Sequence, residues 1–587
     1  MYRRSEMNAT SRHLWLDTLV MGALALAVGL SQLRVGLSTD DEGLLCDYSL
    51  RLLQGQTPYV EFIPPYALGR YALVAAAFAL FGPSVVVMRG VFIAMLVIST
   101  LLTHRLALRL LPRALAIVPC ASLLILCGPL WKVDIHLALA SAALAACFCM
   151  DAPSRKRLAL TGAVAGICGW DRPDVAVIAC AMSLAAWIAA ESTRGRSFFR
   201  DAATFTASAI VAYLPLVASL LIIPGAATGF LNAHLWMLKL SDRFSLPLPN
   251  PFAFPLGIIN GLLHYAGLIL AAITLAYVVA KKRRDAHAVT LVVLAVAATL
   301  IWNQVRIRAN FGHALQAAWP VWLLMPALLA LAFKRFAAVA VVTFALLFAW
   351  QGTLANATAI SVIARWSGEG IRTHWPRADV YLQKELARDF ALVLDELDRR
   401  KGSVLPLPYA PTFAFIAERR IPTVIDNFLP GRLDAQRVAE VIATLEAEKD
   451  PTILLTPFDG IMPEPYLAEH YPQLYSYIQA NFVVYATPAG SSLLMRRSER
   501  EAAAAAPQWA SSLRDAHGAH ANRRSRHRGA AFALRQPRWW VSARRRASRA
   551  RSLATSTPAS VRQHCDRSQS TTQLVPAARD TKRVATL

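Results

Sequence analysis

Apolar runs of about twenty residues recur along the first 355 positions, and no other feature constrains the fold of this chain as much. Each run is long enough to cross the hydrocarbon of a bilayer as a helix. They lie near 14–34, 84–108, 114–130, 135–150, 158–171, 174–190, 202–223, 254–280, 288–303, 317–333 and 337–355, about eleven spans. The stretch 66–82 is also apolar but falls in the loop after the first span. Composition agrees, with 56% of the 587 residues hydrophobic and only 17% charged. A soluble chain of this size carries more charge.

Basic residues orient the spans. Arg3-Arg4, Arg109 with Arg113, Arg155-Lys156-Arg157, Arg194 with Arg196 and Arg200, Lys281-Lys282-Arg283-Arg284, and Lys334-Arg335 all fall on one side of this arrangement. Basic loops stay in the cytoplasm, which predicts a cytoplasmic N-terminus. An odd number of spans then places Asp40-Asp41-Glu42 and everything after Ala355 outside. The first span has a basic start but no small-residue cleavage site before the acidic run, so it reads as a retained anchor. The net charge of +24 lies about half in the last ninety residues and otherwise largely in cytoplasmic loops, so it calls for no specific nucleic-acid partner. The eight cysteines are mostly inside spans and form no CxxC, which indicates neither a disulfide framework nor a thiolate metal site.

Three regions follow. Residues 1–355 form a transmembrane domain whose first outer loop is 35–83. Residues 356–497 form an outer, periplasmic domain. In it Leu386, Phe390, Val393, Leu394 and Leu397 recur at helical spacing, as do Val438, Val441, Ile442 and Leu445. The runs SVLPLPY, PTVID, PTILLTPFD and FVVYATPAGSSLLMRR read as strands, the last as a hairpin turning at Pro488-Ala489-Gly490. Alternating helices and strands predict a small α/β domain. Residues 498–587 are rich in Arg, Ala and Ser, lose apolar periodicity, and read as a disordered basic tail.

Ionisable residues at the outer ends of spans are costly near lipid and are candidates for function. Asp40, Asp41 and Glu42 stand in a row where the first span ends. After them come an amphipathic stretch to Gly55 and a second apolar one to Phe81-Gly82, two surface-lying helices that would hold the carboxylates at the interface. Lys132 and Asp134 occupy a short second outer loop, where Asp134 could also cap the next helix. Arg172 interrupts an apolar hairpin between Asp171 and Asp174 and could simply pair with either. Arg308 and His313 sit at another outer turn, where an arginine could equally snorkel to headgroups. Carboxylates suit proton abstraction from a hydroxyl. Arginines fork onto phosphate oxygens and suit a leaving phosphate that gains charge.

Asp41-Glu42-Gly43, Gly55-x-x-Pro58-Tyr59-x-x-Phe62, Pro64-Pro65, Leu80-Phe81-Gly82 and Arg89, in that order, resemble the polytopic GT-C glycosyltransferases. The resemblance is strongest to the bacterial branch related to protein O-mannosyltransferases, lipid A aminoarabinose transferases and rhizobial lipopolysaccharide-core transferases. Arg308-x-Asn310-x-x-His313 is similar to an R.D..H element of related sequences, with Asn where they carry Asp. The resemblance implies a GT-C-type α-helical membrane protein that moves a sugar, with inversion, from a polyprenyl-phosphate donor. The acceptor would be an outer-face lipid, glycan or protein. It implies Asp41 as base with Glu42 beside it, Asp40 as a rival, and Asp134 as second-loop acid. Lys132, Arg172, Arg308 and His313 would meet the lipid phosphate. No cofactor or catalytic metal is implied. The competing expectation is a transporter or lipid-carrier flippase, which would hold its ionisable residues nearer mid-membrane.

Overall fold

The computed structural model describes residues 2–505 apart from 127–128, 241–247, 254–256, 308, 356–369 and 458–461. The described residues up to 504 form one compact unit. Residues 506–587 of the expected tail lie outside the described residues.

Fifteen helices precede residue 356 among the described residues: α1 (Tyr2–Gln32), α2 (Asp41–Leu53), α3 (Gly69–Phe81), α4 (Val85–Ala107), α5 (Ile117–Leu126), α6 (Val133–Asp151), α7 (Arg155–Asp171), α8 (Pro173–Ala189), α9 (Phe198–Ile222), α10 (Ala226–Leu240), α11 (Ile258–Ala280), α12 (Ala286–Ile307), α13 (Phe311–Ala317), α14 (Trp319–Phe333) and α15 (Ala337–Ala355). Each of the eleven apolar runs yields a helix. Among the described residues, seven helical segments are long and apolar enough to cross a membrane. The difference is mostly one of length. α5 has ten residues and α8 seventeen, while Trp319–Leu347 joins two expected spans across a 3₁₀ turn at Lys334–Phe336. Outward faces remain apolar: Leu16 and Leu19 on α1, and Phe199, Val211, Leu221 and Ile222 on α9, are exposed. A water-facing surface rarely carries such a band. Lipid is the solvent that fits it, and the chain is a multi-pass membrane protein.

α2 and α3 lie between α1 and α4 as the two loop helices expected from the sequence. A second region packs on them. It contains β1 (Gly370–Arg372), β2 (Tyr381–Gln383), α16 (Lys384–Asp398), β3 (Val404–Leu407), α17 (Pro411–Ile416), α18 (Ala435–Ala447), β4 (Thr452–Leu455), α19 (Pro463–His470), α20 (Pro472–Asn481), β5 (Phe482–Ala486), β6 (Ser492–Arg496) and α21 (Arg497–Ala505). β1 pairs antiparallel with β2. The main sheet runs β3-β4-β6-β5, with β3 parallel to β4 and the other pairs antiparallel. The β5–β6 hairpin turns at Pro488–Gly490 as expected. The PTVID segment is not a strand. Its Val424 carbonyl instead accepts the Ile63 amide at 3.0 Å, so its hydrogen bonding ties the first loop to this domain rather than extending the sheet. Phe78 of α3 stacks on Phe415 of α17 at 6.2 Å, and the two regions share one continuous core.

A buried ion pair fixes how α2 sits. Arg89 on α4 donates from Nε to Glu42 Oε1 at 2.6 Å and from Nη2 to Oε2 at 2.8 Å. The same guanidinium reaches the carbonyls of Val35 at 3.0 Å and Gly36 at 2.8 Å, and Ser38 N donates to Glu42 Oε2 at 2.9 Å. Glu42 is completely buried and Arg89 nearly so. Charges withdrawn from water are tolerated only when saturated in this way, and removing one partner strands the other. We expect Glu42→Gln to cost about 3–5 kcal/mol. The matching double variant Glu42→Gln/Arg89→Met should recover part of that loss. Unfolding midpoints of the protein in detergent micelles check this, and a mild effect of the single substitution would contradict it.

Candidate active site

The acidic run is divided by helix geometry. Asp40 is the N-cap of α2, accepting the Asp41 amide at 2.7 Å, while Asp41 and Glu42 occupy the first turn. Negative charge at a helix N-terminus is favoured by the exposed amides and the helix dipole. Successive residues turn by about 100°, so Glu42 points inward to Arg89 and Asp41 points elsewhere.

Asp41 points at Lys132 and Tyr409. Its Oδ2 lies 2.8 Å from Lys132 Nζ, and its Oδ1 accepts from the Tyr409 hydroxyl at 2.7 Å. Its side chain remains about a third exposed. Burial pushes the Asp41 carboxyl up, but the Lys132 ammonium and its hydrogen bond, the Tyr409 hydroxyl and the Arg70 charge together hold it well below the usual carboxylate range. Asp40 moves the other way. Burial and the neighbouring Asp41 charge raise its carboxyl against the hydrogen bond from Ser38. The Tyr409 hydroxyl is itself pushed up by burial and by both aspartates, so it stays a donor.

Cations continue from there. Arg70, at the start of α3, pairs with Asp134 at 3.1 Å and donates to the Trp131 carbonyl at 2.6 Å. Asp171 lies beside Asp134 and within the field of Arg70. Tyr66 presents its ring to two guanidiniums, Arg70 at 4.9 Å and Arg172 at 5.0 Å. Arg172 is forked onto Asp174 at 3.0 and 2.7 Å, and Gln304 of α12 donates to the same carboxylate at 2.9 Å. The result is a cluster of ion pairs built from α2, α3, the α5–α6 and α7–α8 turns, and the loop after β3.

Of the residues singled out in the sequence, Asp40, Asp41, Lys132, Asp134 and Arg172 belong to this cluster. Glu42 is its anchor to α4. Asp134 is not a side-chain N-cap, since α6 starts from Lys132 without one. His313 is held at the start of α13, its Nδ1 2.7 Å from the capping Asn310 Oδ1, and Arg308 lies outside the described residues. Sequence reasoning missed Arg70, Tyr66 and Tyr409. Arg70 was detectable as the one charge inside the apolar stretch 66–82. Among the described residues no group of three or more His, Cys, Asp or Glu side chains is placed to hold a metal ion.

The docked domain is held on α2 by a close approach at Gly43. A Cβ there would stand 2.2 Å from both the Thr412 amide nitrogen and its Oγ1. Thr412 Oγ1 in turn donates to the Ser38 carbonyl at 2.7 Å. This contact carries the loop bearing Tyr409 against the start of α2.

Compared by sequence, the chain matches no protein-family model and no curated protein. Compared by structure, it superposes on ArnT from Cupriavidus metallidurans bound to undecaprenyl phosphate. The TM-score is 0.50 at 12% identity, over 82% of this chain and 98% of that one. The Archaeoglobus fulgidus oligosaccharyltransferase tethered to an acceptor peptide gives 0.47 at 12% identity, over 80% and 72%. The fold is thus the GT-C-type polytopic fold that the sequence resemblance implied.

Alanine normally favours a helix over glycine by about 1 kcal/mol. At position 43 the contact with Thr412 reverses that sign. Gly43→Ala is expected to lower the unfolding midpoint and to speed proteolytic cleavage within 384–497. An unchanged or higher midpoint would show that the domain does not dock as described.

Proposed function

We propose that the protein is an integral membrane glycosyltransferase of the plasma (inner) membrane. In this reading its N-terminus is cytoplasmic, residues 356–497 are periplasmic, and the cluster around Asp41 lies at the outer face. The donor is a sugar on a polyprenyl phosphate, and the acceptor is a hydroxyl of an outer-face glycan, lipid or protein. The observation that carries this reading is Asp41 itself, a partly open carboxylate saturated by a lysine and a tyrosine within the field of Arg70.

The acceptor oxygen attacks the anomeric carbon from the face opposite the phosphate. The carbon–oxygen bond to phosphate breaks, the configuration inverts, and the acceptor proton passes to Asp41. The leaving phosphate keeps the bonding electron pair. Its growing charge falls to Lys132, Arg70 and Arg172, which are fixed before the reaction begins. A leaving group of this kind needs no proton, so one base and several cations suffice.

A carboxylate held as low as Asp41 is a poor base while Lys132 stays on it. An arriving phosphate competes for the same ammonium. Once Lys132 turns to the phosphate, burial of Asp41 is no longer compensated and its basicity rises. Lys132 thus couples donor binding to activation of the base. The likeness to a structure bound to undecaprenyl phosphate supports this reading through the shared fold.

The test is transfer of radiolabelled sugar from a pool of polyprenyl-phosphate sugars to membrane extract. Asp41→Asn is expected to lower turnover by at least about 100-fold while leaving the fold intact, the scale of a lost general base. Transfer from no donor by folded wild-type protein would favour a transporter instead. The pH profile adds a signed expectation. Protonated Asp41 cannot accept the proton, so activity fails as pH falls through its pKa. In the wild-type profile of kcat/KM, which reports the free enzyme with Lys132 still on Asp41, that limb should lie below the ordinary aspartate value of about 4. In Lys132→Met, with the counter-charge gone and burial left, the limb should move up by at least about one unit. An unmoved limb would separate Lys132 from the base.

A further inference from the structure

The PTVID segment, bonded to the first loop rather than to the sheet, ends in a buried acid. Asp426 is completely buried where the docked domain meets α2. Asp47 of α2, 4% exposed, faces it within hydrogen-bonding reach. The Tyr48 hydroxyl donates to Asp426 Oδ1. Asp47 Oδ2 and Asp426 Oδ2 are also buried, and neither receives a hydrogen bond. Two facing carboxylates have only acceptors to offer each other. One proton between them supplies the missing donor and removes one of two like charges.

The cations nearby do not fill this role. Arg51, one turn on from Asp47, stops 3.9 Å from Asp47 Oδ2. Its nitrogens go instead to Gln56 Oε1 at 2.7 Å, the Thr423 carbonyl at 3.2 Å and the Glu61 carbonyl at 2.7 Å. Arg432 is held on the Ile63 carbonyl at 3.2 Å and Arg377 on the Phe415 carbonyl at 3.0 Å. Arg377 acts on Asp47, and Arg432 on Asp426, through their fields. The Cys46 thiol and the Tyr409 hydroxyl, also close to the pair, are kept neutral by burial. Tyr71 of α3 lies against the Tyr48 ring at 5.6 Å. Burial pushes the Asp47 carboxyl up, Arg51 opposes it and the Asp426 charge adds to it, bringing it to about 7. Burial raises Asp426 as well, against Arg51, the Tyr48 hydrogen bond and Arg432.

The pair also joins two regions. Thr423 and Val424, just before Asp426, accept from Arg51 and from the Ile63 amide. Phe428, just after it, donates its amide to the Pro408 carbonyl at 2.8 Å, next to Tyr409. What holds Asp426 on α2 therefore also holds Tyr409 on Asp41.

We infer that Asp47 and Asp426 share one proton and act as a pH-sensitive latch, which holds the docked domain on α2 and loosens as pH rises. Ionisation gives that proton to water and leaves two facing carboxylates in a dry interface. Apart, each aspartate titrates near about 4. The docked state keeps the extra proton up to about 7. Docking is therefore strongest below this window and weakens progressively as pH rises through it. The latch stands on the interface alone, and only its effect on turnover rests on the glycosyl-transfer reading.

Docking is read on the full-length protein in detergent micelles as the rate of proteolytic cleavage within 384–497, divided by that of an unfolded substrate at the same pH. Wild type should be cut at least about tenfold faster at pH 8 than at pH 5, the linkage scale for a proton held across most of that range. Asp47→Asn puts an amide donor where the proton was, and Asp426→Asn does so from the other side. Both variants should stay near the wild-type pH 5 rate at both pH values. A flat wild-type response overturns the inference. Asn variants that keep the wild-type slope also overturn it and give the slope to another group, such as Asp40, whose carboxyl is likewise raised. Protection at pH 8 by millimolar Ca²⁺, abolished in both variants, would assign the pair to a metal ion and overturn it too. If cleavage follows the expected pattern but wild type transfers from no donor, the transfer reading falls and the latch stands.

Discussion

The Glu42–Arg89 pair is the contact on which the rest of the site depends. It spends a carboxylate and a guanidinium on a position that neither water nor substrate reaches. Its return is rotational. α2 enters directly from the end of α1, and the pair locks that entry by also engaging Val35 and Gly36. With Glu42 fixed inward, the turn of the helix leaves Asp41 facing Lys132 and Asp40 free to cap. Three adjacent acids thereby acquire three separate tasks. A one-residue slip would bury Asp41 and expose the anchor.

The docked domain completes this arrangement rather than merely covering it. It supplies Tyr409 to Asp41, and its approach depends on the missing side chain at Gly43. The contact also constrains topology. Asp41 and Tyr409 can meet only if an even number of crossings separates them in the chain. Among the described residues, six of the seven segments long and apolar enough to cross a membrane lie between these two positions, an even number.

Much of the fold was legible because lipid imposes a simple rule: a spanning segment must be helical, long and apolar. The apolar runs, the two loop helices and the β5–β6 hairpin follow from periodicity and turn residues. PTVID misled because an apolar, β-branched segment reads as a strand whether its backbone bonds go to a sheet or, as here, to the Ile63 amide. In the site, Lys132, Asp134 and Arg172 were visible as charges at span ends. Arg70 was hidden by averaging over the apolar residues around it. Tyr409 lay beyond reach because its partner is more than three hundred residues away, and a lone tyrosine in a loop carries no local signal. The acidic run announced a site, but only the packing of Glu42 on Arg89 distinguishes its members.

The account turns on one exchange, in which Lys132 leaves Asp41 for the donor phosphate. The measurement that tests it most directly is an experimental structure of the protein with polyprenyl phosphate bound. The account predicts Lys132 Nζ within hydrogen-bonding distance of a phosphate oxygen, Arg70 and Arg172 facing the same group, and the 2.8 Å contact to Asp41 broken. A phosphate bound away from Lys132, with the Lys132–Asp41 pair intact, would contradict it.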